Sequence, residues 1–227
     1  MTSILQNLEW LREKIDRAAE KSGRKGSEIT LVAVTKNVTG ERILEVLKHG
    51  VTEIGENRVQ EAEDKFEQIP KEVKRHLIGR LQTNKVNKAI RLFDMIQSVD
   101  SFKLAQQIVR RCEQKALPIL VEVNTSGEKS KSGVAPDETL DLLRQMAVLE
   151  RVPIQGLMTI GPLTENRNLI RESFRILRGL FQEAENIDSP SCRMKFLSMG
   201  MSSDFEIAIE EGSNMIRIGT AIFGARN

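Results

Sequence analysis

The strongest constraint on this chain is an alternation. Short runs rich in branched apolar residues recur along it, each parted from the next by a stretch with helical periodicity. The runs read as strands at 29–35, 51–54, 75–78, 95–99, 118–123, 154–158, 196–199 and 215–218. Helix-like segments lie between them at 41–49, 58–68, 84–92, 102–115, 138–149, 169–185 and 205–210. A helix between two strands carries the chain back to start the next strand parallel to the last. Eight such strands are the number that closes a barrel, and an open doubly wound sheet is the alternative. We expect an α/β fold, a single TIM-type (β/α)8 barrel forming one domain over residues 1–227. Residues 1–28 precede the barrel as a helix and loop, with Ile4, Leu5, Leu8, Leu11 and Ile15 on one helical face. The barrel itself occupies 29–227, and no low-complexity linker divides it.

Composition enters chiefly through what it excludes. The formal net charge is +2, which is no general reason to expect a nucleic acid or a membrane as partner. No signal peptide or uninterrupted transmembrane-length apolar run is present, so a soluble cytoplasmic protein is expected. The two cysteines, Cys112 and Cys192, and the two histidines, His49 and His76, have no metal-site spacing, and free buried thiols are expected. The chain contains no tyrosine, so no mechanism can use a phenol as proton donor.

A parallel barrel carries its site on the loops after the C-terminal ends of its strands. Those positions hold Lys36, Asn57, Gly79, Ser98, Asn124, Thr159, Gly200 and Gly219. Lys36 shares a strand face with Thr30, Val32 and Val34, which aims it into the barrel mouth. Partial desolvation there favours the free amine that a Schiff base to an aldehyde requires, whereas a lysine snorkelling to water would carry no chemistry. Arg217 alternates with Ile216 and Ile218, so it points inward and needs either a ligand or a carboxylate such as Glu122. Glycine turns at Gly200 and Gly219 follow the last two strands, where barrels commonly hold phosphate. The stretch 127–133 resembles a phosphate loop in composition only, since it lacks the glycine-lysine-hydroxyl order. Between Lys71 and Arg91 basic residues outnumber acids. No aromatic residue accompanies them, which favours a solvated face over an RNA surface.

Several of these segments together resemble one family. They are Val32-Ala33-Val34-Thr35-Lys36, Gly55-Glu56-Asn57-Arg58-Val59-Gln60-Glu61, and the run His76-Leu77-Ile78-Gly79-Arg80-Leu81-Gln82-Thr83-Asn84-Lys85. Ser130-Lys131-Ser132-Gly133, Gly156-Leu157-Met158, Ser198-Met199-Gly200-Met201-Ser202 and Arg217-Ile218-Gly219-Thr220-Ala221-Ile222-Phe223-Gly224 follow in order. The set is similar to the pyridoxal phosphate homeostasis proteins, and matches extend from Lys36 to Gly224. The resemblance implies a barrel like the N-terminal domain of alanine racemase, binding pyridoxal 5′-phosphate (PLP). It implies that Lys36 holds the cofactor as an internal aldimine and that Ser202, Gly219 and Thr220 bind its phosphate. Arg217 would approach the pyridine nitrogen, and Asn57, His76, Met158 and Ser198 would complete the site.

Implied function follows: a monomeric carrier that keeps PLP in balance and supplies or buffers it, with PLP-dependent apo-enzymes as its partners and without firmly attached catalysis. An arginine at the ring nitrogen weakens the ring as an electron sink. The related racemases oppose their lysine with a tyrosine, which neither this chain nor a homodimer of it can provide. A PLP-dependent amino-acid racemase, or another Schiff-base enzyme, is the alternative, with His76 or Cys192 as a substitute acid. The chain departs from the family pattern at Arg75 (commonly aromatic), at Arg80 (often proline), and at 37–40, which lacks the usual proline.

Overall fold

The computed structural model describes residues 3–112, 116–128, 130–149 and 151–224. Eight parallel strands form a closed barrel in sequence order. They are β1 (Thr30–Val34), β2 (Glu53–Glu56), β3 (Lys74–Leu77), β4 (Met95–Val99), β5 (Ile119–Glu122), β6 (Ile154–Met158), β7 (Cys192–Ser198) and β8 (Met215–Ile218). β1 pairs with both β2 and β8, which closes the cylinder and rules out the open sheet. An N-terminal helix α1 (Ile4–Lys21) precedes β1. The crossovers are α2 (Gly40–Lys48), α3 (Val59–Phe66), α4 (Val86–Leu92), α5 (Phe102–Arg111), α6 (Thr139–Met146), α7 (Arg167–Ala184) and α8 (Phe205–Glu210). A single turn of helix, α9 (Thr220–Phe223), follows β8.

Strand register sorts side chains between two cores. Val32 lies opposite Glu53 on β2 and Arg217 on β8, so these three share the inner face. Val32, Met95, Leu120, Met158 and Met215 fill the barrel interior, with Phe196 against them. Ala33, Ile54, Leu77, Ile96 and Leu157 face outward and pack beneath the helices. Both cysteines are free and buried.

Local chemistry explains where elements begin and end. Ser3 caps α1 reciprocally with Gln6, and Leu8, Leu11 and Ile15 dock the helix on the body. Leu5, expected on that buried stripe, is instead 39% exposed, because it lies just off the docked face. β7 starts at Cys192, earlier than 196, since its first residues pair with β6 while Arg193 and Lys195 are exposed to solvent. Charged residues there mask the strand pattern. α5 ends at Arg111, and the last three residues of the helix expected over 102–115 lie outside the described residues, as does Lys129 of the 127–133 loop.

Candidate functional site

Lys36, Asn57, Ser202, Arg217, Gly219 and Thr220 line one cavity of about 560 Å³ at the C-terminal mouth of the barrel. Val34, Ile78, Gly79, Ile160, Met201 and Ser203 complete its wall. The loops after β1, β2, β3, β6, β7 and β8 therefore converge on one volume. Its size suits a small cofactor.

Lys36 stands half-buried at the rim, and the backbone on either side of it is pinned. Thr35 is fully buried, and its Oγ1 donates to Glu56 Oε1 at 2.7 Å. Lys65 Nζ donates to the Thr35 carbonyl at 2.7 Å and also reaches Glu56 at 3.0 Å and Glu61 at 2.6 Å. Asn37 adopts φ +56°, a left-handed conformation rare outside glycine, and its N–H donates to Glu61. Burial pushes the Glu56 carboxyl above the usual range, against the pull of Thr35 and Lys65. Despite its own partial burial, Glu61 is held below that range by Lys65 and the Asn37 N–H. Lys36 itself lines the cavity, and among the described residues no carboxylate pairs with it.

Arg217 closes the floor. It is 4% exposed, with Nη1 donating to Ser198 Oγ at 2.6 Å and Nη2 to the Thr159 carbonyl at 2.7 Å. Burial pulls its pKa down to about 10, while Asp204 and Glu122 oppose the fall, so it stays charged at neutral pH. Glu122, on the inner face of β5, does not bond Arg217 directly. Burial, reinforced by Asp100, lifts its carboxyl to about 7 against the attraction of Arg217 and Arg80. Burial also raises Asp204, although the Met201 N–H bonds it at 2.6 Å and Arg217 favours its charge.

Two glycines set the wall geometry. A Cβ at Gly79 would stand 2.4 Å from the Asn57 carbonyl oxygen, so the loops after β2 and β3 close on each other only with glycine there. Gly200 has φ +99°, and a Cβ on it would meet Ala208 at 2.6 Å. Its turn brings Ser202 to α9, where Ser202 Oγ accepts from the Ala221 N–H at 3.2 Å.

Three expected residues lie below the cavity and do not form part of its lining. Met158 belongs to the interior apolar layer, and Ser198 is spent on Arg217. His76, 2% exposed, sits deeper still, with Nδ1 3.0 Å from Gln97 Nε2 and Nε2 2.9 Å from Glu53 Oε2. Its strand parity points it inward, but β3 ends one residue later, too low for the mouth. Cys192 lies at the opposite end of β7 and packs with the outer core. Neither residue lines the cavity with Lys36.

Gln97, Thr35, Lys65 and Glu56 escaped the sequence reading as site residues. Strand alternation from Met95 was a signal for Gln97. Nothing in the spacing of Lys65 and Glu56 connects them to Lys36.

A primary amine at the rim, a buried guanidinium on the floor, and hydroxyls beside a glycine turn on one wall suit a small, flat, anionic carbonyl compound. The alanine racemase N-terminal domain family model matches residues 6–227. A pyridoxal phosphate homeostasis protein of Aquifex aeolicus is 40% identical over 224 residues, 97% of each chain. The chain belongs to the pyridoxal phosphate homeostasis protein family. A solved member, PipY of Synechococcus elongatus PCC7942 with PLP bound, superposes with a TM-score of 0.84 at 33% identity, covering 98% of this chain and all of that one (100%). Alanine racemase of Corynebacterium glutamicum shares only the fold, with a TM-score of 0.75 at 15% identity over 98% of this chain and 61% of that one.

The departures noted from the family pattern have local uses. Arg75 lies over the Phe66 ring, 4.9 Å from its centre, and donates to the Ile69 carbonyl at 2.8 Å. Nearby, Lys74 pairs with Glu53 and Lys88 with Glu63, which spends part of the basic stretch 71–91 on structure. Among the described residues, no helix is long and apolar enough to cross a membrane.

Proposed function

We propose that this chain binds pyridoxal 5′-phosphate in the cavity at the barrel mouth, with Lys36 as the residue bonded to the cofactor's aldehyde carbon. It would hold PLP in the cytoplasm, as a monomer, to buffer it or supply it to PLP-dependent apo-enzymes. The observation that carries this reading is the convergence of Lys36, Arg217, Ser202, Gly219 and Thr220 on one cavity. The PLP-bound relative of the same fold supports it. When bound, the cofactor supplies an aldehyde that condenses reversibly with amines.

The chain's own groups divide the work. Ser202, Thr220 and the backbone at Gly219 are the donors for the phosphate. Thr35 and Asn37 hold the Lys36 backbone, and Arg217 would supply a fixed positive charge to the bound cofactor. Asn57 and Ile160 narrow the opening.

The test is spectroscopic. Purified protein mixed with PLP should develop a visible band that borohydride abolishes, leaving the cofactor covalently attached. In Lys36→Ala, retention of that attachment would sink the Lys36 assignment.

One observation favours an enzyme as second reading. Glu122 is a buried carboxyl at the C-terminal end of β5 whose pKa of about 7 keeps part of it protonated at neutral pH, an acid in a chain without tyrosine. Exchange of an amino acid's α-proton with deuterated solvent, lost in Glu122→Gln but retained by a Glu122→Asp control, would favour a racemase over a carrier.

A further inference from the structure

Arg217 stands at one end of a polar chain that descends through the barrel. The layer around it is apolar, formed by Val32, Met95, Leu120, Met158 and Met215. Gln97, on β4 and 0% exposed, is the central link. Ser198 Oγ accepts from Arg217 at 2.6 Å and donates its one proton to Gln97 Oε1 at 2.7 Å. With that proton committed, Gln97 turns its oxygen to Ser198 and its NH2 group to His76 Nδ1, 3.0 Å away. Nδ1 is then an acceptor, and Nε2 lies 2.9 Å from Glu53 Oε2, a close contact without hydrogen-bond alignment.

Glu53 in turn meets Lys74 at 3.0 Å, at the far end of the barrel. Burial would raise the Glu53 carboxyl, yet His76 and Lys74 together hold it below its usual range. From Arg217 to His76 every donor points the same way. The hydrogen bonds run from a fixed cation to an imidazole that sits against a carboxylate, with their dipoles aligned, the arrangement in which each hydrogen bond strengthens the next. A barrel interior closes with apolar side chains alone, so five polar residues in series through it call for a role beyond packing.

We propose that Gln97 is a positioning residue for the cofactor site. Through Ser198 it sets the plane of the Arg217 guanidinium, and hence the electronic surroundings of the ring that Lys36 holds. His76 on Glu53 fixes the orientation of Gln97. The proposal rests on the PLP reading above and adds to it a determinant that lies outside the cavity.

PLP titrations of wild type, Gln97→Met and Ser198→Ala test it, recording the visible band, the Kd and the thermal unfolding of each protein without cofactor. Gln97→Met keeps the volume and removes the hydrogen bonds to Ser198, His76 and Met215 Sδ. It should retain a borohydride-trappable adduct, shift the visible band, and raise the Kd about tenfold, the scale of one hydrogen bond to a charged group. A folded Gln97→Met with the wild-type band and Kd overturns the proposal even if its Tm falls, because a merely structural glutamine would change stability and leave the chromophore untouched. If Gln97→Met does not fold, Ser198→Ala cuts the chain one link nearer Arg217 and decides on the same readouts. Absence of PLP uptake by wild type overturns the cofactor reading itself, and this inference with it.

Discussion

At the scale of single residues, the neighbours of a buried group rather than its residue type set the chemistry. Glu122 and Glu53 are both carboxylates on the inner face of the barrel. Glu53 has His76 and Lys74 in contact and ionises easily, whereas Glu122 has only distant cations and a neighbouring Asp100. Glu122 ionises near 4.5 in the unfolded chain and near 7 in the fold. Between those values the folded state keeps a proton that the unfolded chain has lost, so stability declines as pH rises through this window. The decline amounts to about 3 kcal/mol for a shift of this size. Urea denaturation of the cofactor-free protein should therefore show lower stability at pH 8 than at pH 5, and Glu122→Gln should flatten that difference. A profile unchanged by the substitution would remove Glu122 as its source. Asn37 is a second case. Its left-handed backbone costs an alanine about 1 kcal/mol more than it costs asparagine or glycine, so Asn37→Ala should lower stability by that amount and Asn37→Gly should not.

At the scale of elements, the stretch from Gly55 to Glu61 supplies three separate contributions. Glu56 at the end of β2 receives the Thr35 hydroxyl, Asn57 lines the cavity, and Glu61 in the first turn of α3 takes the Asn37 N–H. Lys65, one turn further along α3, ties both carboxylates to the Thr35 carbonyl. Lys65→Met would strand a fully buried carboxyl and free the loop that carries Lys36. We expect a loss of about 3 kcal/mol, the scale of breaking a buried pair. PLP uptake should weaken although Lys36 remains in place, and Lys65→Arg should recover part of both. Chemical denaturation and PLP titration measure the two effects. Wild-type cofactor affinity in Lys65→Met would show that the clamp serves stability alone. These elements were only partly legible in sequence. Strand runs at 95–99, 154–158 and 215–218 coincide with β4, β6 and β8, because short runs in which apolar residues predominate suit a strand buried on both faces. The start of β7 and the turn of α9 were missed, since one is charged and the other too short to show a period.

At the scale of the whole molecule, closure makes the site. β1 and β8 are far apart in the chain, yet their pairing sets Val32 beside Arg217 and brings Lys36 and Thr220 to one cavity. The N-terminal helix reinforces this seam, packing across α8 and α9, and Asn7 Nδ2 donates to the Ile222 carbonyl at 2.9 Å. Leu8 lies fully buried on that helix. Leu8→Ala should cost about 3 kcal/mol by opening a cavity, measured as a lowered unfolding midpoint. It should also weaken PLP binding, because α9 supports the wall formed by Gly219 and Thr220. A stability loss with unchanged PLP affinity would show that α1 serves the fold without serving the site.

What the sequence determined by itself was the eight-fold alternation, the inward parity of Lys36 and Arg217, and the glycine turns after the last two strands. All of these are periodic or local, and covalent geometry sets them within a few residues. Only the tertiary structure decided that His76, Met158 and Ser198 lie beneath the cavity, that Lys65 holds the Lys36 loop, and that Gln97 links Arg217 to His76. Parity states which way a side chain points but not its depth along the barrel axis. Depth, and the contacts that come with it, depend on how staggered strands close into a cylinder, which no single stretch of the chain encodes.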